Sequence, residues 1–167
     1  TGIPFRGIPN GHELTSLLLA VLNADGKGKN LPDEMICQRI KSLKGAIRLQ
    51  TYVSLTCTNC PDIVQALNIM TLQNPNLTHE MVDGALFQDE VNSLNIQAVP
   101  AVYANGEMLH MGRGSLGELL QKLEERFGSE PNEENYPIHR EFDVLVIGGG
   151  PAGASAAIYS ARKGLHV

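Results

Sequence analysis

The sequence has no tryptophan, only four Tyr and four Phe, and three cysteines in 167 residues. Three thiols are too few for a disulfide scaffold. Basic residues are also short, with 13 Lys+Arg against 18 Asp+Glu and a formal charge of −5. An acidic chain with few aromatics makes a poor surface for nucleic acid or an anionic membrane. Long apolar runs are missing too. The longest is the six residues from Leu17 to Leu22, where a membrane span needs about 20. The first residues, Thr-Gly-Ile-Pro-Phe-Arg, include neither an initiator Met nor an apolar signal-peptide core. They are read as the start of a chain cut from something longer, with no secretory signal. What is present is an ordinary apolar share of 43%, which excludes wholesale disorder.

Four segments can be separated. Residues 1–45 hold a short extended piece from Ile3 to Ile8 and a helix from about Gly11 to Asn23. Leu14, Leu17, Leu18, Val21 and Leu22 form one broad stripe on that helix. A turn-rich break, Asp25 to Asn30, precedes a second helix starting near Pro32 and carrying Ile36, Ile40 and Leu43. One strand and two helices give such a stripe little to pack on, so 1–45 is expected to be the C-terminal part of another fold. Residues 46–128 read as a complete α/β unit in the order βαβαββα. Strands are expected at 47–53, 77–82, 101–104 and 108–110, and helices from the cysteine pair to about Leu72, at 87–94 and at 115–127. Asn105-Gly106 is a hairpin signal. A faint echo between Arg6-Gly7…Gly11-His12-Glu13-Leu14 and Arg113-Gly114…Gly117-Glu118-Leu119 favours two tandem copies of one fold, the first truncated. Residues 129–141, with two prolines and an acidic run, read as a linker. An apolar strand, Phe142 to Ile147, then leads into a glycine-rich turn and a small-residue helix.

Cys57-Thr-Asn-Cys60 falls where a strand gives way to a helix. A thiol there faces unpaired backbone N–H groups and the positive end of the helix dipole, and both favour the reactive thiolate. The dipole contributes about 0.3–1 kcal/mol against about 1.36 kcal/mol per pKa unit. It therefore moves a thiol by less than one unit, and Cys60, one turn on, is placed to add a hydrogen bond to the Cys57 sulfur. The spacing makes Cys57 the exposed nucleophile and Cys60 the sheltered partner that resolves a mixed disulfide. A soft-metal site is the competing use of the pair. Structural zinc needs two further ligands, and Cys37 lies on a helix of another segment, where a buried core thiol is expected. The five His residues show no metal spacing, and His79 is expected merely to sit in a strand. Val99-Pro100 lies 43 residues after Cys57, directly before a strand. Pro100 there is consistent with a cis bond that offers backbone N–H and C=O groups to an incoming peptide. Gly148-x-Gly150-x-x-Gly153 has the dinucleotide-binding spacing, with a pyrophosphate expected at the following helix N-terminus. The chain stops 14 residues past Gly153, short of the acidic residue expected about 20 residues on.

The Cys pair, Val99-Pro100-Ala101, the Asn105-Gly106 hairpin and the last amphipathic helix of that unit resemble a thioredoxin fold. The wider strings Gly7-Ile-Pro-Asn-Gly-His-Glu13-Leu, Tyr52-Val-Ser-Leu-Thr-Cys57-Thr-Asn-Cys60-Pro-Asp and Val144-Leu-Val-Ile-Gly-Gly-Gly-Pro-Ala-Gly153 are similar to the flavoprotein subunit of bacterial alkyl hydroperoxide reductase. The resemblance implies a fold class of α/β, thioredoxin-like. It further implies that the active fold is preceded by the end of a redox-inactive copy and followed by the start of a Rossmann-type FAD domain. It implies a relay of electrons from a flavin and NADH module through Cys57 and Cys60 to a peroxiredoxin subunit. FAD and NADH belong to the full-length protein and no cofactor to this chain, whose Gly148, Gly150 and Gly153 form an incomplete site. A cytoplasmic location, a homodimeric full-length protein and a monomeric segment are also implied. Two positions depart from the family: Thr58 stands where His is common, and Thr51 stands where ordinary thioredoxins carry a buried acid. The resemblance assigns that acid's role to Glu13. From the residues alone, a stand-alone thioredoxin- or glutaredoxin-like reductase and a soft-metal-binding module remain open.

Overall fold

In the computed structural model the described residues are 2–26, 28–130 and 141–167. The chain divides into two compact units, Thr1–Asn132 and Glu133–Val167. In the first, strands β1 (Phe5–Arg6), β2 (Ile47–Val53), β3 (Leu77–Asp83), β4 (Ala101–Ala104) and β5 (Glu107–Met111) form one sheet in the order β1-β3-β2-β4-β5. β3 pairs in parallel with both β1 and β2, while β4 runs antiparallel to β2 and β5. The helices are α1 (Leu14–Leu22), α2 (Glu34–Lys41), α3 (Cys60–Gln73), α4 (Gln88–Ser93) and α5 (Leu116–Phe127). From β2 onward the order is the expected βαβαββα.

Alternation along β2 sorts the core into two layers. Ile47 and Leu49 point to the face where Ile63, Leu67 and Met70 of α3, Ile40 of α2 and Leu119, Leu120 and Leu123 of α5 are buried. Tyr52 points to the opposite face, joining Val82, Ala101 and Tyr103 under Phe87, Val91 and Leu94 around α4. Both sides of the central strands are therefore covered, as parallel strands require. Ser115 caps α5 and exchanges hydrogen bonds with Glu118, a reciprocal box that satisfies two otherwise orphaned N–H groups. Asn105 and Gly106 take φ values of 51° and 84°, the left-handed pair that a tight β4–β5 hairpin needs.

The residues expected to be the tail of a separate fold lie on this same sheet. β1 forms its edge through Phe5 opposite Met81 and Arg6 opposite Val82. Arg6 is held there by paired bonds to Glu90 and by stacking on the Phe87 ring. After α2, Leu43 bridges Ser129, and Glu130 N–H donates to Ser42 O at 2.7 Å. The first two linker residues thus pair with the chain, and 131–140 fall outside the described residues. The α1 stripe is exposed rather than inward, with Leu18 at 59% and Val21 at 69%, and Ser16 is the buried side chain of that helix.

In the second unit, helix α6 (Pro151–Arg162) forms as expected, but Phe142–Ile147 makes no strand. An apolar strand needs a ladder partner for its backbone and a layer for its side chains. Here Leu145 is 75% and Ile147 92% exposed. Among the described residues no helix is long and apolar enough to cross a membrane.

One polar cluster lies inside the first unit. His79, expected merely to occupy a strand, is fully buried between Thr51 Oγ1 at 2.8 Å from Nε2 and Asn68 Oδ1 at 2.7 Å from Nδ1. Burial pushes its pKa down to about 3 from the ordinary 6.5. The folded protein holds the imidazole neutral, whereas the unfolded chain takes up a proton below pH 6.5. Stability is therefore fully present above that pH and falls as the pH drops towards 3, by about 1.4 kcal/mol per unit. Urea unfolding at pH 6.5 and 4.5 should show a loss of roughly 2–3 kcal/mol from this group. His79→Gln should start less stable and lose less over the same interval.

Candidate active site

β2 ends at Val53, and the loop that follows delivers the sulfurs. Cys57 N–H donates to Ser54 O at 2.9 Å, closing a turn that aims Cys57 back across the end of the sheet. α3 begins at Cys60 itself, with Asn59 at its N-cap and Pro61 in the first turn. Cys57 therefore stands one turn ahead of the helix rather than opening it, and meets the helix dipole end-on from outside. The two cysteines are joined in a disulfide with Cα atoms 5.5 Å apart. Cys60 is fully buried against Val53, Val64 and Met81, while Cys57 is half-buried and Thr58 exposed. That asymmetry is the one the spacing calls for: one accessible sulfur, one sheltered.

The Val99–Pro100 peptide bond is cis and Pro100 is buried. The preceding carbonyl, Val99 O, lies 3.9 Å from Cys57 Sγ. The β4 side of the sheet thus brings an accepting backbone group alongside the exposed sulfur.

Glu13 reaches the same end of the molecule from a one-turn 3₁₀ helix, Gly11–Glu13. That turn is pinned to the loop before Cys57 by His12 N–H donating to Leu55 O at 3.2 Å. Gly11 has φ +55°, and a Cβ there would come within 2.5 Å of Leu55 O, so only glycine fits the approach. Glu13 is fully buried, and neither carboxylate oxygen has a hydrogen-bond partner among the described residues. Burial raises its pKa, the nearby Asp62 adds to the rise, and the Ser16 hydroxyl opposes it.

The remaining residues separate from this cluster. Cys37 is a buried thiol on α2 whose Sγ donates to Pro32 O at 3.6 Å. Among the described residues no group of three or more His, Cys, Asp or Glu side chains is placed to hold a metal ion. In the second unit Gly150 is the N-cap of α6, and a Cβ on Gly153 would fall on the Gly148 carbonyl oxygen. This close turn ahead of a helix N-terminus fits a phosphate group. Sequence reasoning missed the Thr51–His79–Asn68 cluster, although His79 alternates with Leu77 and Met81 and so had to face inward. It also missed His110 beyond β4.

Comparison with known proteins matches residues 47–125 to the thioredoxin domain family. The fold is thioredoxin-like, and the chain is a homologue of the alkyl hydroperoxide reductase flavoprotein AhpF. It is 52% identical over 162 residues to the alkyl hydroperoxide reductase protein of this kind from Pseudomonas putida, covering 97% of this chain and 31% of the relative. A Bacillus subtilis (strain 168) relative named NADH dehydrogenase is also 52% identical, over 166 residues, covering 99% of this chain and 32% of that protein. Among solved structures, the NTD_N/C domain of alkylhydroperoxide reductase AhpF from Enterococcus faecalis (V583) aligns with TM-score 0.66 and 36% identity. That alignment covers 71% of this chain and 56% of the other. The chain spans about a third of the length of the curated relatives it matches.

An unpartnered buried carboxylate destabilises the fold wherever it is ionised. Because the folded pKa of Glu13 is raised, its contribution is fully favourable below the unfolded value and is lost as pH rises through the folded one. Glu13→Gln should therefore unfold at higher urea than the parent at pH 8 and match it near pH 4. A surface acid complementing a helix dipole would give the opposite sign at pH 8.

Proposed function

We propose that this chain is the dithiol relay of an alkyl hydroperoxide reductase flavoprotein, passing electrons from a flavin module to the disulfide of a peroxiredoxin. The observation that carries this reading is the Cys57–Cys60 disulfide, with one sulfur accessible and one buried, beside a cis proline. In the reduced chain the Cys57 thiolate attacks one sulfur of the peroxiredoxin disulfide. The S–S bond breaks, the departing thiolate takes a proton, and a mixed disulfide forms on Cys57. Cys60 then loses its proton to Glu13 and attacks Cys57 Sγ, which releases the second peroxiredoxin thiol and leaves the Cys57–Cys60 bridge. A dithiol of the flavin module returns two electrons and two protons to that bridge. Burial suits Glu13 to the proton step because it makes the carboxylate a stronger base. Pro100 would hold the incoming peptide by its backbone.

In the full-length protein Gly148, Gly150 and Gly153 would hold the pyrophosphate of FAD at the start of α6, and the flavin would draw its electrons from NADH. Residues 1–45 are read as the C-terminal part of a redox-inactive thioredoxin-like fold, 46–128 as the active domain and 142–167 as the start of the FAD domain. Use of NADH and a reduced dithiol fits a cytoplasmic protein. We read the full-length protein as a homodimer and this segment as a monomer. The placing of the thiols favours exchange chemistry over soft-metal carriage, since Cys60 lies closed off behind Cys57.

The roles can be separated by trapping. Cys60→Ser should accumulate a mixed disulfide with the peroxiredoxin on a non-reducing gel, in near-stoichiometric yield, because nothing resolves it. Cys57→Ser should trap at least tenfold less. Equal trapping by both variants would overturn the assignment.

A further inference from the structure

One titratable pair near the site has no part in the chemistry described so far. His110, on β5 opposite Val102, is half-buried and bonded at both ring nitrogens. Lys122 Nζ of α5 lies 3.0 Å from Nδ1. An ammonium can only donate, so Nδ1 accepts and the ring hydrogen sits on Nε2. Nε2 then donates to two carbonyl oxygens of the following loop, Gly112 at 3.1 Å and Arg113 at 2.9 Å. The same loop is tied to the cis proline, because Gly112 N–H donates to Pro100 O at 2.8 Å. The residue before that proline carries the carbonyl 3.9 Å from Cys57 Sγ. A continuous set of contacts therefore runs from Lys122 through His110 to the backbone beside the exposed sulfur.

The loop is shaped around the ring. Gly112 has φ +86°. A Cβ on Gly114 would come within 2.7 Å of His110 Nε2 and 3.3 Å of Ile63 Cδ1, so glycine there leaves room for the imidazole against α3. Arg113 between the two glycines is exposed. Polar chemistry, rather than mere filling of space, holds the segment in one position.

We propose that His110, oriented by Lys122, is a positioning residue that fixes the Gly112–Gly114 loop and the Pro100 carbonyl as a preformed rim for docking protein disulfides. The inference rests on the dithiol exchange proposed above and deepens it. A preformed rim lowers the ordering cost of binding an extended segment of a protein partner. A small disulfide, which reaches the half-buried sulfur without such a segment, has no use for it.

The test uses the 167-residue chain, reduced and freed of small thiols, in single-turnover reactions with two probes, insulin and 5,5′-dithiobis(2-nitrobenzoate). For His110→Leu the ratio of insulin to small-disulfide rate constants should fall about tenfold, through a higher half-saturating insulin concentration. His110→Gln, whose amide can still donate to both carbonyls, should recover the ratio to within about threefold of the parent. Gly114→Ala reaches the same contact from the loop side and should behave as His110→Leu, which keeps the test decisive if that variant fails to fold. The inference is overturned if both probes slow in parallel, if the Leu variant matches the parent, or if Gln is as poor as Leu. It also falls if the parent reduces only the small disulfide. A parent that reduces insulin but not a peroxiredoxin instead removes the function proposed above and leaves the His110 comparison standing.

Discussion

The burial of Cys60 at the first residue of α3 fixes the geometry of the sulfur end. Cys60 belongs to the apolar layer of Val53, Val64 and Met81, so it cannot move without opening contacts between β2, β3 and α3. With that sulfur anchored, the three-residue spacing leaves Cys57 ahead of the helix and partly exposed. β2 also sets the level of the loop that carries it. β2 pairs with β3 over Ile47–Val53 and with β4 over Leu49–Tyr52. The same central strand thereby positions the cysteine loop and brings Pro100, just before β4, to the same edge. An accessible nucleophile, a protected partner and an adjacent accepting carbonyl all follow from one well-packed junction.

Electrostatics add what packing cannot. The helix dipole is worth under one pKa unit to a thiol at this position. An unpartnered buried carboxyl responds far more strongly to its surroundings, because desolvation falls on the charged form alone. Glu13 and His79 therefore press stability from opposite sides. His79 disfavours the fold as protons become available below pH 6.5, and Glu13 disfavours it as its own proton is withdrawn. A carboxyl retained at such a cost in a small domain marks a place where proton movement counts for more than stability.

Much of this was legible in the residues themselves. The alternation of Ile47, Leu49, Thr51 and Val53, the Asn105-Gly106 turn and the Ser115–Glu118 box each state a local structure through a short-range rule, and each formed as stated. Boundaries set by tertiary context were less legible. Residues 1–45 read as a remnant because a two-residue edge strand carries no periodic signal. Phe5 and Arg6 gain their place only through β3, Glu90 and Phe87, 80 or so residues away. Phe142–Ile147 erred the other way, since an apolar run states what a strand would bury but cannot supply the neighbours. His110 escaped notice because its partners are a lysine 12 residues on and backbone carbonyls, which no motif encodes.

Thr51 shows how the two polar sites on the inner face of β2 are connected. In an ordinary thioredoxin an acid would stand at this position, behind the second sulfur. Here the Thr51 hydroxyl donates to His79 Nε2, which accepts only if the ring hydrogen is on Nδ1 and pointed at Asn68 Oδ1. A carboxylate at position 51 would face that same nitrogen. It would either be left without a donor or draw a proton onto a ring whose burial strongly disfavours the charge. In neither case would it remain a free base for Cys60. The neutral Thr–His–Asn arrangement therefore commits this part of the core to stability and leaves the basic group to be supplied from elsewhere. The 3₁₀ turn pinned at Leu55 O supplies it, which is why the carboxyl arrives from the opening segment of the chain rather than from the strand beneath the sulfurs.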